Sequence, residues 1–306
     1  MQDLTTSSVT DAVLQQMSDT PDARLREVMA SLVRHLHDFA RDVKLTPDEW
    51  IMAIGFLTQV GQTCTPARQE FILLSDVLGL SALVNLLHDE TASEIGTESS
   101  LLGPFYQQKA PDFALGDSIA VRASGPEIQL YGRVTDMQGT PVPGALIQIW
   151  QTDSQGVYDL QRHEGEQEIE HETRGNFRAD DQGRFWFRSI LPLGYEIPMD
   201  GPVGGLIRAQ RRHGCRPAHI HFLIGAPGHR ELVTALYLGD DQYIDSDAVF
   251  GVSRSLVVHP HNDPDAPLPG IPAIRYDFKL SAATEAGSHR VGADPAQTLT
   301  KTLAAE

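Results

Sequence analysis

The chain has 306 residues, with Lys+Arg 24 against Asp+Glu 41 and a formal net charge of −17. That balance speaks against nucleic acid or an anionic membrane surface as partner and favours a small molecule. Cys64 and Cys215 are the only cysteines and lie far apart in sequence, so neither a disulfide framework nor a cysteine-based zinc site is expected, and a reducing cytoplasm fits. The first residues carry neither a basic n-region nor an apolar h-region, and no apolar run reaches spanning length, so neither export nor membrane insertion is expected.

From about Pro21 to His88 the apolar residues recur at helical spacing. Thr46-Pro47-Asp48-Glu49 supplies an N-cap hydroxyl, a proline at the first helical position and a glutamate three residues on, a capping box leading into Trp50 to Leu57. Thr65-Pro66 is expected to open a further helix through Phe71 to Leu74, and Leu80 to Leu87 continues after Gly79. These helices carry more apolar positions than they can bury among themselves, which predicts a covered face and, as the natural case, a homodimer.

After Glu90 comes an apolar loop with a Gly-Pro break, Leu101-Leu102-Gly103-Pro104-Phe105-Tyr106, and the period then changes from 3.6 to 2. Strands are expected over 118–123, 127–135, 145–152, 176–179, 184–190, 218–224, 233–238, 255–259 and 274–280, with turn signals between them. The expected fold is mixed but mainly β: an antiparallel β-sandwich catalytic domain over 106–280, preceded by a helical dimerisation and linker domain over 1–105. Residues 281–306 are small, polar and weakly periodic, and are expected to form an irregular tail.

The chemistry concentrates in Arg216-Pro217-Ala218-His219-Ile220-His221-Phe222. Histidines at i and i+2 of a strand share one face, and two neutral imidazoles on a rigid strand suit iron, copper, zinc or nickel. The pair alone also fits a solvated sheet face, so it proposes a metal without naming one. Tyr158, after the turn Asp153-Ser154-Gln155-Gly156, and Tyr195, in Leu193-Gly194-Tyr195-Glu196, sit in loops where functional groups collect, though each alone also fits a half-buried tyrosine. Arg216 stands three residues before His219, an odd offset that places it on the opposite face unless the strand begins after Pro217.

Leu102-Gly103-Pro104-Phe105-Tyr106, Ile147-Gln148-Ile149-Trp150-Gln151-Thr152-Asp153, Gly156-Val157-Tyr158, Gly194-Tyr195 and the histidine stretch together resemble the intradiol ring-cleavage dioxygenases, in register from about Thr46 to Leu280. The resemblance implies a helical dimerisation unit, a β-sandwich and one Fe(III) per chain held by Tyr158, Tyr195, His219 and His221. It further implies that Tyr195 is displaced as a catechol-type diol binds, and that Arg216 stabilises negative charge on the ring during attack by O2. Relatives often hold a phospholipid between their helical units, and the apolar helices are compatible with one.

By register with that family the substrate ring would be lined by Leu73, Asp76, Leu101, Leu102, Gly103, Pro104, Phe105, Ile197, Pro198 and Val249. The runs Ser246 to Val252 and Ile197 to Gly204 resemble hydroxyquinol 1,2-dioxygenases within the family, with catechol, methylcatechol or chlorocatechol enzymes as the alternative. Asp76 facing the pocket would accept a hydrogen bond from a third hydroxyl and so reject an analogue lacking it; it also fits a helix-surface aspartate. One departure stands out: Ala235 occupies the position where many relatives have Gln. Two rivals from other classes remain, a zinc site closed by Asp245 or Glu196 and a non-catalytic binding module.

Overall fold

The computed structural model describes residues 4–65, 68–90, 96–162 and 171–283. The helices are α1 (Val9–Gln16), α2 (Ala23–Asp42), α3 (Pro47–Thr63), α4 (Glu70–Val77), α5 (Leu80–Glu90), the single turn α6 (Asp159–Arg162) and α7 (Pro202–Ala209). The strands are β1 (Glu127–Asp136), β2 (Leu146–Gln151), β3 (Arg174–Arg178), β4 (Arg184–Ile190), β5 (Tyr195–Glu196), β6 (Cys215–Arg216), β7 (His219–Gly225), β8 (Leu232–Leu238), β9 (Val257–Val258), β10 (Ala273–Arg275) and β11 (Phe278–Leu280).

Two compact units result, Met1–Gln62 and Thr63–Glu306. In the first, α1 lies against α2, and the expected capping box opens α3: Thr46 N–H donates to Glu49 at 2.9 Å and Glu49 N–H to the Thr46 hydroxyl at 3.3 Å. Leu25, Val28, Leu32, Leu36 and Phe39 form an exposed stripe at helical spacing along α2, with Trp50, Ile51, Ile54 and Leu57 open on α3. Helices α4 and α5, which the sequence reading groups with this helical region, cluster with the sheets instead. No single helix among the described residues is long and apolar enough to cross a membrane; α4 and α5 have the length and composition only as a pair, bent by 73°.

The sheet-rich unit carries a five-stranded sheet in the order β3-β2-β7-β8-β9 and a four-stranded one in which β1 pairs with β4, β10 and β11. The strands β2, β3, β7 and β8 pair antiparallel, but β8–β9, β1–β10 and β1–β11 are parallel, so the sheets are mixed and the wholly antiparallel expectation is corrected. Both sheets feed one apolar core: Phe187 of β4 meets Phe222 of β7 at 6.4 Å between ring centroids, and Phe222 meets Phe278 of β11 at 4.9 Å. Alternation explains the arrangement, since Ile220, Phe222 and Ile224 turn one face of β7 into this core and leave the other face for His219 and His221.

Several local expectations change. Residues 118–123 contribute a single bridge, Ser118 to Arg188, where a strand was expected. The run 274–280 breaks into β10 and β11 because Arg133 N–H is taken by the Asp277 side chain at 2.9 Å. The 255–259 stretch becomes a 3₁₀ turn, Arg254–Leu256, followed by the short β9. Thr65 and Arg68 exchange backbone hydrogen bonds, and the helix starts at Glu70. Pro66 and most of the tail, 284–306, lie outside the described residues.

Candidate active site

On β7 the His219 and His221 rings lie 4.6 Å apart between centroids and nearly perpendicular, their Nε2 atoms 3.1 Å apart. The His219 Nδ1 is 2.7 Å from the Pro217 carbonyl, a contact that needs a proton on Nδ1 and leaves the lone pair on Nε2. Burial, then the charge of Arg216, lowers the His219 pKa to about 3, and burial holds that of His221 well below its ordinary value. Both rings are therefore neutral, the state in which imidazole binds a metal. Trp150, paired with His221 across β2 and β7, stacks on its ring at 4.8 Å and 7°. On another side stands Gly103, with φ +71; a Cβ there would sit 3.4 Å from the His221 ring.

Tyr158 is fully buried, stacks on Phe105 at 4.2 Å, and brings its hydroxyl 3.3 Å from His219 Nε2. Tyr195, partly open, stands edge-on to Tyr158 at 5.5 Å and tilted to His219 at 5.8 Å. Burial pushes both phenols above their ordinary range, most strongly Tyr158. Two ring nitrogens and two phenols thus gather, with the single lone pair of His219 Nε2 facing the Tyr158 hydroxyl, His221 Nε2 and Arg216 at once. A cation fits that donor set: it would remove the nitrogen–nitrogen opposition and offset the cost of ionising buried phenols. Among the described residues no three His, Cys, Asp or Glu side chains gather to hold a metal, so neither Asp245 nor Glu196 joins the histidines.

Arg216 is 2 % exposed and lies on β6, not on β7. Pro217 and Ala218 separate the two strands, and β6 pairs with β5 so that Arg216 stands directly opposite Tyr195. This register resolves the odd offset from His219. The guanidinium reaches the Tyr195 hydroxyl at 3.5 Å and His219 Nε2 at 3.3 Å, while Asp247 accepts from its Nε at 3.1 Å and its Nη2 at 3.3 Å. Burial pushes the Asp247 carboxyl up, but Arg216 outweighs it and the net shift is downward.

The expected ring-lining residues separate into groups. Leu73, Pro104, Phe105 and Pro198 line a cavity of 290 Å³ together with Arg68, Glu70 and Asp200. Leu101, Ile197 and Val249 are buried, and Leu102 packs beside Phe105 and Trp150. Asp76 is 6 % exposed, so it is no helix-surface residue; burial raises its pKa, and it feels Arg216 and Asp247. Ala235 is the fully buried β8 partner of His221.

The sequence reading missed three supports. Asp247 fixes Arg216. Tyr237, whose hydroxyl contacts Ser100 at 2.8 Å, meets Arg216 Nη2 at 3.4 Å. Arg174, 2 % exposed, pairs with Asp159 beside Tyr158 and donates to the Phe105 carbonyl at 3.0 Å. A buried Arg and Asp must find each other, but nothing local says which pairs with which.

Known sequences and structures place this arrangement. The family described as Dioxygenase matches residues 102–282, and that described as Catechol dioxygenase N terminus matches 22–96. The 6-chlorohydroxyquinol 1,2-dioxygenase of Cupriavidus pinatubonensis is 49% identical over 257 residues, covering 84% of this chain and 92% of that one. The hydroxyquinol 1,2-dioxygenase of a Rhizobium species is 44% identical over 247 residues, covering 81% and 83%. The solved hydroxyquinol 1,2-dioxygenase from Pseudomonas putida DLL-E4 matches with a TM-score of 0.83 and 42% identity over 91% of this chain and 99% of that one. The chain belongs to the intradiol ring-cleavage dioxygenases, enzymes that open an aromatic diol ring with O2.

Proposed function

We propose that the chain is a non-haem Fe(III) intradiol dioxygenase whose preferred substrate is hydroxyquinol, benzene-1,2,4-triol, cleaved to 3-hydroxy-cis,cis-muconate, the enol form of maleylacetate. The observation that carries this is the convergence of two neutral imidazoles, one fully buried phenol and one partly open phenol. Tyr158, Tyr195, His219 and His221 would hold one iron, which supplies a Lewis acid for the two diol oxygens. Tyr195, the more open of the two phenols, would be ionised where it holds the metal and, on leaving, would take a substrate proton at its phenolate oxygen. Arg216, fixed by Asp247, holds a positive charge against the ring where negative charge develops. Leu73, Phe105 and Pro198 keep water from the ring.

Asp76 is the specificity element of the proposal. Asp76 already has the Ser81 side chain as a hydrogen-bond partner; the third hydroxyl of the triol would add a further buried one, which catechol cannot supply. Oxygen uptake with hydroxyquinol, catechol, a methylcatechol and a chlorocatechol tests this. Wild type should favour hydroxyquinol, and Asp76→Asn should lower its kcat/KM roughly 10- to 100-fold, consistent with about 1–3 kcal/mol for a buried polar partner, while catechol changes little. Equal losses on both would remove Asp76 from the argument.

The proposal extends to a sandwich packing of the two sheets, a division near residue 105 into dimerisation and catalytic parts, a cytoplasmic setting and a homodimer. Support for the dimer comes from the apolar stripe on α2 and α3. Sedimentation velocity of Leu57→Glu should show a weakened dimer; an unchanged oligomer would count against that face.

A further inference from the structure

We infer that Glu70, with Arg68 and Asp200, is a positioning clasp that sets the width of the substrate pocket. The inference rests on the reading of the pocket given above and adds three charged residues of its wall, to which that reading gives no part in holding iron or the diol hydroxyls.

Glu70 is completely buried and shares one face of α4 with Leu73, Asp76 and Val77. A buried carboxylate there persists only if paired. One oxygen accepts from Arg68 Nε at 2.9 Å, with Nη2 at ion-pair distance but not hydrogen-bonded; the other accepts the Val203 N–H at 3.2 Å. Val203 lies in the first turn of α7, whose N-cap, Gly201, offers no side-chain acceptor. Glu70 therefore satisfies from another helix one of the donors that a serine or aspartate would satisfy locally. Arg68 then reaches across to Asp200 at 2.9 Å.

The consequence is mechanical. Leu73 and Asp76 ride on the helix that Glu70 belongs to, and Ile197 and Pro198 ride on the loop that Asp200 and α7 end. The 290 Å³ cavity is walled by both sides and by the clasp itself. Shifting one wall changes the fit of the ring and the reach of Asp76 without altering the donors on β7.

Gly201 supplies independent support. Its φ is −91°, a conformation open to any residue, so backbone freedom does not require glycine there. A Cβ would instead collide with the Glu70 carboxylate and come within 2.6 Å of Arg68 Nη2. A larger residue at 201 would therefore have to displace the ends of Glu70 and Arg68, the two side chains of the clasp.

The test uses full-length Gly201→Ala and Glu70→Gln, with Arg68→Ala and the Gly201→Ala/Arg68→Ala double variant, measuring kcat and KM for hydroxyquinol and catechol alongside Tm. A displacement near 1 Å can cost about 100-fold. The expected result is a rise of roughly tenfold or more in KM for the diol that wild type prefers, a smaller fall in kcat, and a narrowed preference between the two diols. Gly201→Ala should also do less harm once Arg68 is removed, a non-additivity that marks a shared element. Equal proportional losses on both diols that follow Tm, additive effects, or unchanged KM would overturn the clasp. A wild type that prefers catechol would overturn the hydroxyquinol reading instead, and the clasp would then be read on catechol.

Discussion

Tyr195→Phe should reduce kcat by about 10²–10⁴, the range typical of a lost proton-transfer group, while the protein folds and keeps its optical and metal properties in altered form. The change removes one oxygen. The ring keeps its edge contact with Tyr158 at 5.5 Å and with Phe105 at 6.2 Å, so packing is retained. What disappears is the hydroxyl opposite Arg216, the one phenol of the pair that is not fully buried. Tyr158→Phe is the companion: its hydroxyl sits in the interior against His219, so its loss should weaken metal retention more than proton transfer. Steady-state kinetics with metal analysis on both variants separates the roles. A Tyr195→Phe enzyme within tenfold of wild type would contradict the assignment of Tyr195 as the proton-transfer group.

Arg216→Ala should be damaging twice over. Loss of a charge aimed at a developing anion typically costs about 10²–10³ in kcat. Removing one partner of a buried pair also leaves Asp247 uncompensated, with destabilisation of about 3–5 kcal/mol expected. Arg216→Lys separates the two effects. It retains the charge, loses the two-pronged contact with Asp247 and the reach toward Tyr195 and His219, and should recover stability more than activity. Thermal denaturation and kcat measured on both variants decide the matter; full activity in Arg216→Lys would mean that charge alone suffices, and full activity in Arg216→Ala would remove Arg216 from the reaction.

Much of this site was legible before the fold was known, for a local reason. Strand alternation puts His219 and His221 on one face whatever surrounds β7, and the capping box at Thr46 to Glu49 contains its own hydrogen bonds. Arg216 was not placeable by periodicity, because Pro217 and Ala218 end one strand and begin another. Only pairing with β5 determines which way it faces. The same applies to Asp247, Arg174 and Glu70: each is a buried charge whose partner is remote or unmarked in sequence, and no local pattern announces such pairs. Residues 274–280 read as one strand because alternation continues through Tyr276, and the break depends on Asp277 reaching the backbone of β1. The buried face of α4, Glu70, Leu73, Asp76 and Val77, lies in the sheet-rich unit, a packing that helical periodicity does not reveal. Family register, by contrast, proposes Leu73 and Asp76 for the ring, and Leu73 lines the cavity.

Tyr158, Tyr195, His219 and His221 are proposed to hold ferric iron. The visible spectrum of purified wild-type protein, recorded with its metal content, tests this most directly. Tyrosinate-to-Fe(III) charge transfer should colour the protein red-brown with one iron per chain, and the colour should fade when the iron is removed. A colourless protein carrying stoichiometric zinc would contradict the account.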